Sequence, residues 1–338
     1  MSRKLYTQTA LGLILSSTAV ADVPSVAVDI APVHALVARV MDGVGAPNLI
    51  IPPSASPHEY SLRPSEAKSL QDADLVFWVG EDLTPWLEKS IDTLSRNAEI
   101  ITLLDQSETK LLKFRESALF EAHDHDDHDD HDHDKSHDDH DDHDDHDHDK
   151  SHDDHDDHEG HNHGTHDPHA WLSIDNAQSW LNVIAAKLSA VDPENAGVYY
   201  GNAASAIAEL DAVEKEINAT LDPVRGNRFV VFHDAYQYFE NSFEFFAAGA
   251  ISLSDASDPS AARIAEVQGR IKNEGIDCIL SEPQYNANMV ATVLSGTDAK
   301  TGVIDPLGSS LEPGPNLYTE LVYDMAETLA GCLSDAKK

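Results

Sequence analysis

The chain has 338 residues, and 22 Lys and Arg stand against 61 Asp and Glu, for a formal net charge of −39. This length allows one large domain or two of ordinary size. The acidic balance argues against nucleic-acid binding, which needs clustered Lys and Arg, and it suits a cationic ligand.

The N-terminus has the pattern of a secretory signal peptide. Arg3 and Lys4 precede an apolar run at 10–15, and an A-x-A cleavage pattern stands at 19–21. The apolar run is too short to cross a bilayer, and no later stretch is long and apolar enough to do so. We therefore expect cleavage after Ala21 and an exported, soluble, periplasmic protein.

Short apolar runs then alternate with helical patterns. Runs rich in Val, Ile and Phe that alternate with helices indicate parallel α/β sheets. In the first half the predicted strands are 26–30, 49–51, 75–79 and 100–103, and the helices are 33–42, 65–70 and 84–94. In the second half the predicted strands are 229–232, 246–251, 278–280 and 302–304, and the helices are 235–241, 260–273, 286–295 and 317–333.

A long helix is predicted between these halves. Ala206, Leu210, Val213 and Ile217 recur at helical spacing, and Pro193 suits the first turn. Such a helix would be about 40 Å long and would act as a stiff strut. We predict an α/β fold in which two (β/α)4-like lobes with parallel sheets are joined by one long rigid helix and enclose a cleft. The predicted boundaries are 1–21 for the signal peptide, 22–121 and 167–192 for the N-terminal lobe, 122–166 for a loop, 193–222 for the linking helix and 223–338 for the C-terminal lobe.

The predicted loop at 122–166 has a composition unlike the rest of the chain. It consists almost wholly of Asp and His, and the motif HDHDKSHDDHDDH begins at His131 and again at His146. Such a segment cannot bury enough apolar surface to offset its ordering entropy, so disorder is predicted. Its repeat has no apolar face, which excludes a solenoid.

The chain has two cysteines, Cys278 and Cys332. An even number in an exported protein indicates a disulfide, and two buried thiols are the alternative.

Four of the 20 histidines lie outside the loop. His58, His169 and His233 each stand at a junction of an α/β element, where ligands bind in open sheets, whereas His34 lies in a predicted helix and is assigned a structural role. Asp305 follows a predicted strand in the same way. Three imidazoles with one carboxylate match Zn²⁺, although imidazole also suits Cu, Ni, Co and Fe.

Four motifs carry a family resemblance. SPHEYSLRPS, DPHAWL, FHDAYQYF and DPLG occur in this order, and the acidic His-rich segment directly precedes DPHAWL. Together they resemble the zinc-specific solute-binding proteins of bacterial zinc ABC importers, the ZnuA family. The resemblance implies two α/β lobes joined by one long helix, a zinc cargo, and delivery to a membrane permease driven by a separate ATPase.

The resemblance also implies a ligand set. The family's three histidine ligands fall on His58, His169 and His233. Asp305 occupies the position of a ligand in manganese-binding relatives, and Glu59 or a water molecule are the other candidates for the fourth ligand.

The histidine loop is predicted to capture zinc weakly or to sense zinc status, and a periplasmic metallochaperone is a predicted partner of the loop. Neutral imidazoles bind zinc and the Asp side chains attract it. The alternative is a solvated segment that grew by repeat expansion. The candidate loop ligands are His123, His125, His128, His161, His163 and His166.

Three other functions are alternatives to a monomeric zinc-binding protein. A zinc hydrolase is disfavoured because the chain has no H-E-x-x-H motif, and no P-loop is present for ATP hydrolysis. A zinc buffer would rely on the loop as its working part. A manganese importer component would need two histidines and two carboxylates, whereas His233 supplies a third imidazole.

Overall fold

The computed structural model describes residues 23–115, 166–252, 260–285 and 287–334. The predicted signal peptide and the predicted loop up to residue 165 lie outside the described residues. Within those described, no helix has the length and apolarity needed to span a membrane.

The first half forms a parallel four-stranded sheet with the order β2-β1-β3-β4. The central strands β1 and β3 are buried along their whole length, as expected for a sheet covered on both faces. The strands are β1 (Val26–Val28), β2 (Asn48–Leu49), β3 (Leu75–Trp78) and β4 (Glu99–Thr102), and the helices are α1 (Ala31–Val40), α2 (Pro64–Gln71) and α3 (Pro85–Leu94).

Two helices follow the first sheet in the chain. They are α4 (Ile174–Val191) and α5 (Ala196–Leu221). A 3₁₀ turn at Pro193–Asn195 precedes α5, and another at Asp222–Val224 follows it. At 1.5 Å per residue, α5 is about 39 Å long. Its buried residues recur every three or four positions along one face, as the sequence predicted, and they include Ala206, Leu210, Val213 and Ile217.

The second half repeats the architecture, with the strand order β6-β5-β7-β8, all parallel. The strands are β5 (Phe229–His233), β6 (Ala250–Ser252), β7 (Cys278–Ser281) and β8 (Lys300–Val303), and the helices are α6 (Gln237–Phe243), α7 (Ala261–Glu274), α8 (Ala287–Leu294) and α9 (Leu317–Ser334). Strand β6 begins four residues later than predicted, and the preceding helix α6 ends at Phe243 with the left-handed C-cap residue Glu244.

The hydrophobic core is continuous between the halves. One buried cluster includes β1 and β3 of the first sheet, α4 and α5, and β5 and α9 of the second half. The predicted disulfide is confirmed: Cys278 in β7 is bonded to Cys332 in α9. The predicted fold class, two parallel α/β sheets connected by a long helix, is confirmed, while the exact domain boundaries stay a prediction.

Candidate metal centre

Three histidines meet in a small cavity lined by both halves of the protein. His58 lies in the loop between β2 and α2, His169 precedes the 3₁₀ turn Ala170–Leu172, and His233 is the last residue of β5. The cavity has a volume of about 20 Å³. That is large enough to admit a metal ion. Its lining comprises Ser56, Pro57, His58, His169, Trp171, His233, Glu282, Gln284, Tyr285, Pro306 and Leu307.

The spacing of the imidazole rings fits binding of one shared metal ion. The ring centre of His169 lies 5.6 Å from that of His58 and 5.3 Å from that of His233. Imidazoles that bind one tetrahedral zinc at about 2.0–2.1 Å have ring centres about 5 Å apart. As placed, no three His, Cys, Asp or Glu side chains of the described residues are arranged to hold a metal ion. Small side-chain adjustments are therefore part of any metal binding here.

His169 is oriented by Asp167, two residues earlier in the chain. Its Nδ1 lies 2.7 Å from Oδ1 of Asp167, and its backbone N–H donates to the same oxygen at 2.9 Å. A carboxylate can only accept, so Nδ1 is the donor, and in the neutral imidazole this tautomer leaves the lone pair on Nε2. This arrangement of carboxylate and histidine is typical of metal-ligating imidazoles.

His233 is oriented in the same way by a residue far away in sequence. Its Nδ1 lies 2.6 Å from Oε1 of Glu282, which follows β7 directly. The Nε2 atoms of His233 and His58 are both buried. Two of the three imidazoles thus have their Nδ1 atoms engaged by carboxylates, which leaves Nε2 as the atom for a metal.

The loop that carries His58 is fixed by side chains around it. Trp86 in α3 donates its indole N–H to the carbonyl oxygen of Pro57 at 2.8 Å, and the His58 backbone N–H donates to Ser56 Oγ at 3.3 Å. Glu59, a candidate fourth ligand, is exposed and lines an adjoining outer pocket instead of the histidine cavity.

Asp305, the other carboxylate candidate, is engaged by its own loop. Its Oδ1 accepts from the Leu307 backbone N–H at 3.0 Å and from Gln284 Nε2 at 3.1 Å, and its Oδ2 accepts from Ser309 Oγ at 2.6 Å. It is absent from the lining of the histidine cavity, to which the next two residues, Pro306 and Leu307, contribute. Its role as a ligand stays a prediction.

Tyr236 packs beside the site and is fully buried. Its ring centre lies 6.2 Å from that of His233. Burial raises the pKa of Tyr236 well above its usual range, and the charges of Glu282 and Asp305 raise it further. The phenol is therefore neutral at physiological pH, and it adds apolar surface to a strongly acidic surrounding.

The other histidines considered in the sequence lie away from the cavity or outside the described residues. His34 in α1 lies with Nε2 3.1 Å from the carbonyl oxygen of Pro47, and burial lowers its pKa. His166 forms an isolated antiparallel bridge with Lys113. His123, His125, His128, His161 and His163 lie outside the described residues.

Glu282 was missed in the sequence. The available signal was its position: it directly follows strand β7 of a parallel sheet, at the end of the strand where ligands bind. A search restricted to histidines and to carboxylates in known motifs overlooks it.

Comparison with known proteins gives a consistent family match. The sequence model described as "Zinc-uptake complex component A periplasmic", ZnuA, matches residues 26–332. The high-affinity zinc uptake system protein ZnuA of Brucella suis is 48% identical over 309 residues, 91% of each chain. The protein of the same name from Paracoccus denitrificans is 48% identical over 314 residues, 93% of each chain.

Solved structures agree on the fold. A ZnuA crystal structure has a TM-score of 0.69 at 18% identity and covers 92% of this chain and 99% of its own. The solute-binding protein FpvC of Pseudomonas aeruginosa, in complex with Mn²⁺, has a TM-score of 0.71 at 18% identity and covers 94% of this chain and 100% of its own. Both support the two-sheet architecture alone.

Proposed function

Because this chain belongs to the ZnuA family of periplasmic zinc-uptake components, we propose that it captures Zn²⁺ in the histidine cavity and delivers it to an ABC permease. Proteins of this family bind zinc and work with a membrane permease and its ATPase, and they are not enzymes. Zinc is accordingly the cargo of the protein.

The convergence of His58, His169 and His233 on one cavity carries this proposal. Their ring spacing suits tetrahedral zinc, and the carboxylates of Asp167 and Glu282 present the Nε2 lone pairs of two of them. Three neutral imidazoles favour zinc over manganese, which prefers oxygen ligands. The manganese-importer alternative therefore has less support.

For the fourth coordination position we propose a water molecule. Asp305 already accepts hydrogen bonds from its own loop, and Glu59 is exposed in the adjoining pocket. Either carboxylate would have to leave these surroundings to reach the cavity, whereas a water needs only space beside the imidazoles.

Several finer features belong to the same proposal. The family is periplasmic, and the predicted signal peptide would direct export and be cleaved after Ala21. We expect a monomer that meets the permease directly. The histidine loop, whose candidate ligands at 123–163 lie outside the described residues, would capture zinc weakly or sense zinc status, with a periplasmic metallochaperone as its partner.

A competitive zinc titration of two variants of the mature chain tests the proposal. One variant lacks residues 122–165, and the other keeps them but carries His58→Ala, His169→Ala and His233→Ala. We expect the first to keep one tight site and the second to keep only weak, multiple ones. The reverse pattern would make the protein a loop-based zinc buffer. Tighter binding of Mn²⁺ than of Zn²⁺ to the first variant would favour the manganese reading.

A further inference from the structure

The two chain segments that flank residues 116–165 are paired with each other. Lys113 and His166 form an antiparallel bridge, and the backbone N–H of Asp167 donates to the carbonyl oxygen of Leu112 at 2.8 Å. We call residues 112–115 and 166–167 the root pair. Since Asp167 orients His169, one strand of the root pair is also part of the metal centre.

Helix α6 of the second half holds the root pair through polar side chains. The hydroxyl of Tyr238 accepts from the Leu112 backbone N–H and donates to the carbonyl oxygen of Asp167, both at 2.9 Å. With its amide oriented to match its neighbours, Gln237 donates to the Lys113 carbonyl oxygen and to Asp167 Oδ2, both at 3.1 Å. Asp167 is thus held from both sides, by His169 and by α6.

Arg115 makes the strongest of these connections. Its Nε lies 3.0 Å from both carboxylate oxygens of Asp234, and its Nη1 and Nη2 donate to Glu240 at 2.8 and 3.1 Å. A further contact joins Nη2 to Asp234 Oδ1. These partners lie 119 and 125 residues away in sequence, so the guanidinium links the first half of the chain to the second.

The charges of this triad are removed from solvent. The side chains of Arg115, Asp234 and Glu240 are 15%, 6% and 1% exposed. Burial raises the pKa of both carboxyls, and Arg115 opposes that rise. A buried charge that loses its partner is costly, so the triad holds its members in a narrow range of positions.

The triad is linked to His233 through one peptide bond. Asp234 directly follows His233, so fixing its carboxylate restrains the end of β5 and the His233 backbone. Asp167, on the other strand of the root pair, restrains His169. His169 and His233 are thereby connected by two routes, across the cavity and through the root pair.

We propose that Arg115 is a positioning residue of the metal centre, which sets the spacing of His169 and His233 by binding Asp234 and Glu240. This inference rests on the proposed function, since it concerns the same zinc site. Arg115 does not line the cavity, and its guanidinium is not a metal ligand.

A purely structural role makes a different prediction. If Arg115 only neutralises two buried carboxylates, removing all three charges together restores both stability and zinc affinity. If it sets the spacing of the imidazoles, the same neutral triad restores stability while zinc binding stays weak. The distinction requires Arg115→Met and the triple variant Arg115→Met, Asp234→Asn, Glu240→Gln.

The experiment measures zinc affinity by competition and the visible absorption of the Co²⁺-loaded protein, with thermal unfolding in parallel. The matched control is Lys110→Met, which removes a cation from the same segment but from an exposed pair with Asp175. We expect a loss of about 10-fold in zinc affinity and an altered Co²⁺ spectrum for Arg115→Met, the low end of the range for outer-shell partners. The triple variant should regain thermal stability without regaining affinity.

Affinity and spectrum equal to the parent protein in the triple variant would overturn the inference, and so would an unchanged affinity in Arg115→Met. If Arg115→Met fails to fold, the triple variant decides alone. His233→Ala is measured alongside. If this variant keeps the tight zinc site, the proposed function itself is wrong. If His233→Ala loses the site while Arg115→Met binds zinc like the parent protein, only the positioning role is refuted.

Discussion

Glu282 and His233 form a buried pair across 49 residues of sequence, with Oε1 of the carboxylate 2.6 Å from Nδ1 of the imidazole. The pair repeats the contact that Asp167 makes with His169 in the other half. Each half of the chain therefore contributes one imidazole whose ring orientation is set by a carboxylate. Zinc affinity should depend on both carboxylates, although we assign neither as a ligand.

Replacing Glu282 is expected to weaken zinc binding. Glu282→Ala removes the acceptor for His233 Nδ1, and outer-shell changes of this kind typically cost 10- to 100-fold in metal affinity. Glu282→Gln keeps an acceptor oxygen and should lose less. Competitive titration at neutral pH measures both variants.

The control for this series is Glu266→Ala, in the same half of the protein. Glu266 is half exposed and pairs with Arg263 on its own helix, α7. Its removal should leave zinc affinity unchanged. Equal losses at Glu266 and Glu282 would show that the effect is general destabilisation, and full affinity in Glu282→Ala would contradict the orienting role.

Asp305→Ala separates loop stability from metal binding. The substitution removes the acceptor for Leu307 and Ser309, so we expect the free energy of unfolding to fall by about 1–3 kcal/mol. Zinc affinity should fall far less than in His233→Ala. Urea denaturation and zinc titration of the same samples test both parts. A loss of affinity as large as that of His233→Ala would instead make Asp305 the fourth ligand.

The sequence was sufficient to predict the fold class because the relevant signals are local. Apolar strand runs, proline and helical periodicity lie within a few residues of each other, and the predicted apolar face of α5 is the buried one. The rule that ligands bind beyond strand ends also singled out His58, His169 and His233, which the structure brings to one cavity.

What the sequence did not predict depends on contacts between distant segments. The residues around Glu282 give no indication that it contacts His233. Arg115 lies shortly before the low-complexity segment, and its partners Asp234 and Glu240 are distant in sequence. Helix α4 lies within residues 167–192, which were predicted only as part of the N-terminal lobe, without helix bounds. The contacts of Asp305 could not be predicted either: the motif predicts a ligand, and the structure adds that the loop after β8 donates hydrogen bonds to the carboxylate.

The disulfide should matter for stability and not for zinc affinity. It joins β7 to α9 and spans 54 residues of sequence. On the chain-entropy account its loss lowers the free energy of unfolding by about 4 kcal/mol. The double variant Cys278→Ser, Cys332→Ser should therefore unfold at lower urea concentration yet titrate zinc like the parent protein. Parent protein treated with a reductant is the control, and weaker zinc binding in both samples would contradict the separation.

Asp29 should make stability depend on pH near neutrality. Burial raises its pKa from 3.8 to about 7, although the backbone N–H groups of Val79 and Ile30 lower it. A carboxyl with a raised folded-state pKa favours folding while it is protonated, and that contribution is lost as pH rises from 3.8 through 7. The loss between pH 5 and pH 7 amounts to about 2 kcal/mol.

Asp29→Asn removes this titration and isolates it from the other carboxylates. The free energy of unfolding of the parent protein minus that of the variant should decrease by about 2 kcal/mol from pH 5 to pH 7. Urea denaturation at several pH values measures the difference. A difference that stays constant with pH would show that Asp29 is ionised in the folded protein throughout this range.

Helix α5 should limit the movement of the two halves when zinc binds. Its buried face packs in the continuous core beside α4, α9 and α1, so bending it would expose apolar surface of both halves. We therefore expect zinc to shift packed helices by only about 1–2 Å, without wide domain closure.

Small-angle scattering of the variant lacking residues 122–165, with and without zinc, should give nearly equal radii of gyration. The full mature chain serves as the comparison, because a change seen only there arises from the histidine segment. A large decrease in the shortened variant would mean that the halves hinge despite α5.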